Sequence, residues 1–199
     1  MSKLVVQPTS TAQWHDLVSE AEAASGCLLD QDIESYLVFL LMRFTNRPHM
    51  VSRVLGLDYL RAGSAGKHLN QEKLRDVGDH CLLFSGLFPH HAEKRLVKIS
   101  YFVDLGRVAY HQVAELTSNL MGETYAGLSR EFVSMMDVLQ TMRTLRGKGK
   151  PLGPLHAFEL WQDTGSRHAL KTIKAATDAC PVDTTRRNAS GKKKPPELH

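Results

Sequence analysis

Long apolar runs, paired cysteines and strand-like alternation are all scarce in this 199-residue chain, and each absence removes a class of protein. The three cysteines, Cys27, Cys81 and Cys180, form no Cys-x-x-Cys pair and are odd in number. That argues against both a disulfide framework and a zinc knuckle, and a reducing compartment is the simpler reading. The longest uninterrupted apolar run, Tyr36 to Met42, falls far short of the ~20 residues of a membrane-spanning helix. The N-terminal stretch Met1-Ser2-Lys3-Leu4-Val5-Val6-Gln7-Pro8 lacks an apolar signal core, so a cytoplasmic protein without a membrane partner is expected. Asn188-Ala189-Ser190 matches a glycosylation acceptor but carries no weight without secretion.

Catalytic motifs are equally scarce. No His-Glu-x-x-His occurs, no Glu-x-x-His pairs of the di-iron kind lie on the expected helices, and no Gly-x-Ser-x-Gly elbow is present. Gly66-Lys67 suggests a phosphate loop, but only two residues separate Gly63 from Gly66, and His68 stands where Ser or Thr is required.

What is present is the composition of a globular protein, 42% hydrophobic and 23% charged. A chain of this length buries roughly two-thirds of its unfolded surface and needs no metal or disulfide merely to fold. The net charge of +4 is concentrated at one end. Arg186, Arg187, Lys192, Lys193 and Lys194 outweigh Asp183 and Glu197, which leaves the body almost neutral.

Helical periodicity accounts for nearly all of residues 1–180. Residues 11–25 place Trp14, Leu17, Val18 and Ala21 on one face and end at Gly26, a residue suited to a left-handed cap. A second helix opens at Asp30 or Gln31 and is apolar all round, which predicts a central buried element ended before Pro48. Further helices are expected over 48–61, from Asn70 to 88, over 91–117 and over 123–145. The last of these has Tyr125, Leu128, Phe132, Met135, Met136, Leu139 and Met142 as its buried stripe. A Gly- and Lys-rich connector over 146–154 precedes two short helices, over 155–163 and 166–178. The expected fold is therefore all-α: a single-domain bundle of about seven to eight helices over 1–180, followed by a flexible basic tail over 181–199.

If the helices flanking Pro89 fold back as a hairpin, Glu72 faces Arg107, Arg75 faces Asp104, Gly78 faces Tyr101 and His68 faces His111. Asp104, His111 and Glu115 share one helix face, and Asp76 and His80 share another. A polar seam of Asp76, Asp79, His80, Tyr101, Asp104, Arg107, Tyr110 and His111 is the candidate ligand-binding site. Its plainer reading is a set of salt bridges and satisfied histidines that fix helix register. Gly78-Asp79-His80-Cys81-Leu82-Leu83, Gly86-Leu87-Phe88-Pro89 and residues 101–110 resemble a pattern in uncharacterised bacterial proteins of similar size. The resemblance implies a bacterial helical protein and carries no activity or catalytic residue across.

Ten histidines raise the question of a metal, with His80, His90, His91 and His111 in or near the hairpin, but none of the familiar spacings occurs and no metal site is expected. Cys81 follows His80 directly, and adjacent helical residues point about 100° apart, so a Cys–His pair is not expected. The basic tail offers nucleic acid or an anionic surface an electrostatic contact, but it has no interleaved aromatic residue and a solvated end is favoured. The expected function is a non-enzymatic, regulatory type of protein that binds a protein partner or small ligand, with no cofactor favoured and homo-oligomerisation left open. The alternative is a haem- or metal-dependent enzyme of haem-oxygenase-like outline with His15 as axial ligand, which rests on fold analogy alone.

Overall fold

A computed structural model describes residues 9–46, 67–90, 97–118, 120–147 and 149–177; within them the chain is all α, in eight helices. They are α1 (Ser10–Ser25), α2 (Gln31–Asn46), α3 (Lys67–Leu87), α4 (Ile99–Leu116), α5 (Leu120–Arg130), α6 (Phe132–Leu145), α7 (Pro154–Thr164) and α8 (Arg167–Ala176). The helix expected over 48–61 and the tail from 181 lie outside the described residues. No helix among the described residues is long and apolar enough to cross a membrane.

Local chemistry sets the helix ends. The Thr9 hydroxyl accepts from the Ala12 N–H at 3.2 Å to start α1, and Gly26, at φ 72°, ends it by donating to the Glu22 carbonyl. Proline at the first position of α7 and left-handed Gly165 after its last turn follow the same logic.

The helix expected over 123–145 is interrupted at Glu131, so α5 and α6 meet at a bend, yet its apolar stripe from Tyr125 to Met142 is buried throughout. Helix α4 begins at Ile99 and not at 91, because Lys98 has extended backbone (φ −64°, ψ 143°) and supplies the cap position.

The core is organised around α3, which packs on α4 and α6 and is buried without interruption from Val77 to Gly86. Helix α4 also packs on α5, α1 bridges α2 and α6, and the α7–α8 pair closes over α4 and α6. The centre is therefore α3 and not α2, as the apolar pattern had implied. Helix α2 buries Ile33, Leu37, Val38, Leu40 and Leu41, while Phe39 is 62% exposed on its outer side.

The α3–α4 hairpin forms in a different register from the one centred on Pro89. Tyr110, not Tyr101, lies against Gly78, and Phe84 stacks on Phe102 with ring centroids 4.5 Å apart. Gln71 reaches Thr117 at 2.6 Å. Facing residues on α4 are therefore nine positions later than a turn centred on Pro89 gives, with Tyr110 in the place of Tyr101.

Candidate functional site

Asp79, on α3, is fully buried, and a buried carboxylate persists only when it is paired and hydrogen-bonded. Its Oδ1 accepts from the hydroxyls of Tyr36 on α2 and Tyr110 on α4, each at 2.7 Å, and Arg43 on α2 donates through Nη2 to Oδ2. Tyr36 and Arg43 are two helical turns apart, which puts both on the face of α2 turned to α3. The Tyr110 ring fits because Gly78 has no side chain: a Cβ there would come within 2.5 Å of its Cε1. Arg75 stands one turn before Asp79 and adds a second cation, with its Nη2 3.6 Å from Asp76 Oδ1. Tyr125, on α5, packs edge-on against the Tyr36 ring. The three tyrosine rings lie with centroids 6.0–6.2 Å apart.

Burial pushes the Asp79 carboxyl above its ordinary value, opposed by the Arg43 charge and the two phenols. Burial and then the Asp79 charge push the Tyr36 and Tyr110 phenols well upward, so both remain donors. Burial works against the Arg43 charge, but the Asp79 carboxylate outweighs it and raises the guanidinium further. The arrangement is a hydrogen-bond network spanning α2, α3 and α4 in which both Asp79 oxygens are occupied, while the buried Arg43 Nε has no hydrogen-bond partner among the described residues.

This network supports the floor of an open groove of about 510 Å³ between α2 and α5. Ile33, Tyr36, Tyr125 and Gly127 form the bottom, and Phe39, Leu120 and Met121 rise beside it. Gly127 allows α5 to approach α2, since a Cβ there would lie 2.9 Å from Ile33 Cδ1. Among the described residues, Asp30, Asp32 and Glu123 line the rim together with one cation, Arg130.

Of the eight candidate residues, Asp79 and Tyr110 come together in this network. His80 is buried beside Asp79 in the chain but a helical step of about 100° turns it elsewhere. Asp76 is half-exposed near Arg75. Tyr101, Asp104, Arg107 and His111 do share a helix face, but it is the outer face of α4. There Arg107 donates from Nε to the Ser129 carbonyl at 3.3 Å, and His111 Nε2 lies 3.5 Å from Glu115 Oε1. The displaced register is the reason: the stripe expected to meet α3 meets solvent.

Other candidates have ordinary settings. His15 is 57% exposed on α1, with Nε2 3.3 Å from Glu34 Oε1. His90 Nε2 lies 2.8 Å from the Lys150 carbonyl oxygen, and His91 falls outside the described residues. Cys81 is buried, which pushes its thiol strongly upward and away from the nucleophilic thiolate. Among the described residues, no group of three or more His, Cys, Asp or Glu side chains is placed to hold a metal ion.

Tyr36, Arg43 and Tyr125 were not anticipated. The available signal was Arg43 itself, the one cation of its helix and the one charge after an apolar run, two turns from a tyrosine.

A second buried carboxylate, Asp137 on α6, has different company. It accepts from the Ser166 hydroxyl at 2.5 Å and from the backbone N–H groups of Arg167 at 2.7 Å and His168 at 3.2 Å, holding the start of α8. Beside it, His168 Nδ1 lies 3.0 Å from the Thr141 hydroxyl oxygen. Burial, and then Arg143 and Lys171, bring this imidazole down to about 4. Comparison with protein-family models, with curated proteins and with solved structures finds no significant match to any of them.

Proposed function

We propose that this chain is a non-enzymatic binding protein and that its binding surface is the groove between α2 and α5. The observation that carries this reading is the tie between groove and core: Tyr36 lines the groove while its hydroxyl is held by the fully buried Asp79. Tyr125, beside it, packs its ring against those of Tyr36 and Tyr110. A floor braced in this way is preorganised, so that a ligand need not order it on binding. The groove volume is within the ~300–1,000 Å³ of small-molecule sites. Phe39, Leu120 and Met121, all large and exposed, supply apolar contact around it. Binding is favoured over catalysis because Asp79, Tyr36 and Tyr110 spend their polar groups on one another. A cytoplasmic setting agrees with the unpaired, buried Cys27 and Cys81.

The test uses Nile red, a neutral dye that brightens in apolar surroundings. The wild type is expected to bind about one equivalent, and the Phe39→Asp, Met121→Asp double variant to lose the signal with its melting temperature retained. A Leu155→Asp control alters an exposed leucine remote in sequence on α7. Unchanged fluorescence in the groove variant, or an equal loss in the control, contradicts the assignment.

A further inference from the structure

We infer that the occupant of this groove is a short basic amphipathic helix of a partner protein, an inference that rests on the binding surface proposed above. The geometry of the two walls points to a helix. From α2 the groove takes Asp32 and Ile33, then Ser35 and Tyr36, then Phe39, which is one face over two turns. That stripe is about 10 Å long at 1.5 Å per residue. From α5 it takes Leu120 and Met121, then Glu123 and Thr124, then Gly127 and Arg130, a stripe of about 15 Å. Two roughly co-extensive helical walls with an apolar bottom are the setting in which a third helix lays down anchors at i, i+3 or i+4, and i+7.

The sign of the charge follows from the rim. Asp30, Asp32 and Glu123 are exposed and, among the described residues, face a single cation, Arg130, across the same opening. An incoming acidic helix meets like charge, whereas lysines or arginines flanking an apolar stripe meet carboxylates. The apolar groups suit the same partner. Leu120 is 79% exposed and Met121 59%, on the side of the groove opposite Phe39, so two lips can close on an apolar ridge. Methionine, unbranched and polarizable, adapts to such a ridge without a fixed shape. The body of the protein is nearly neutral, so attraction of a basic helix is a property of this face and not of the whole molecule.

The test is fluorescence anisotropy with two labelled 18-residue peptides on the full-length protein. Both carry leucines at helical spacing; one has lysine at all other positions, the other glutamate. The basic peptide is expected to bind at least about tenfold more tightly than the acidic one, with affinity falling as salt is raised. Asp32→Lys with Glu123→Lys is expected to abolish or reverse the preference, and the milder Asp32→Asn with Glu123→Gln to reduce it, both with the melting temperature of the wild type. Leu155→Asp should change neither affinity. Equal binding of both peptides, or a preference untouched by the rim variants, overturns the inference. If neither peptide binds while Nile red is still displaced by the Phe39 and Met121 substitutions, the helix is wrong and the groove stands. If Nile red also ignores those substitutions, the binding surface itself is wrong.

Discussion

Asp79 and Asp137 are both carboxylates removed from solvent, yet they are stabilised by opposite means. Asp137 is met by two backbone N–H groups and one hydroxyl at the start of α8, donors that the chain itself supplies wherever a helix begins. Asp79 is met by side chains alone, two phenols and a guanidinium drawn from two other helices. The first is a cap that joins neighbouring segments, and an acceptor of either charge can partly fill it. The second is a charge pair that ties α2 to α3 and α4, and its loss leaves a half-buried cation unpaired. Only the second extends to an open surface, through Tyr36 and Tyr125.

The largest effect expected is at Asp79. Asp79→Ala leaves Arg43 uncompensated and two phenols without an acceptor, and should cost about 3–5 kcal/mol in denaturant unfolding. Asp79→Asn keeps an acceptor for the tyrosines but not the charge. If Asn is as mild as a surface substitution, the ion pair is not what holds the helices together.

His168 gives the next effect, in acid. Its folded-state value lies below the ordinary one, so its contribution is present above pH 6.5 and is lost as pH falls towards about 4. The full shift corresponds to ~3 kcal/mol. Asp79 and Asp137 have the opposite sign, because burial raises both. Their contributions are complete below the ordinary carboxylate range and decline as pH rises through the raised values, so they cannot account for a loss on acidification. Wild type and His168→Gln, melted at pH 7 and pH 4.5, should therefore diverge, with the wild type losing more. Parallel losses would detach the imidazole from stability.

Asp137→Ala should cost about 1–3 kcal/mol, since it leaves buried donors unmatched, and Asp137→Asn should recover part of that. Equal costs for Asn and Ala would make Asp137 behave like Asp79 and erase the distinction between cap and charge pair. Smallest of all is Asp104→Ala, on the outer face of α4, which should stay within about 0.5 kcal/mol in the same unfolding assay.

The parts of the fold that were legible in the sequence depend on local signals. Gly26 as a left-handed cap and the stripe from Tyr125 to Met142 follow from propensity and periodicity, and both are found in place. The hairpin register was not legible, because it depends on where α4 begins, and periodicity continues across the non-helical Val97 and Lys98 without a break. A helix face can be read from spacing, but which neighbour it meets cannot. Asp104 and His111 share a face that turns out to be the wrong one for a site. Tyr36 and Arg43 escaped because their partner, Asp79, is separated from them by 43 and 36 residues. Only the oddity of a lone arginine after an apolar run marked the place.

The most direct test of the groove as a binding surface for a basic helix is nuclear magnetic resonance mapping with the leucine–lysine peptide. Titration into the ¹⁵N-labelled protein is expected to shift amides of residues 30–39 and 120–130 and to leave α7 and α8 unmoved. Shifts centred on the outer face of α4, or spread evenly over the chain, would contradict the account.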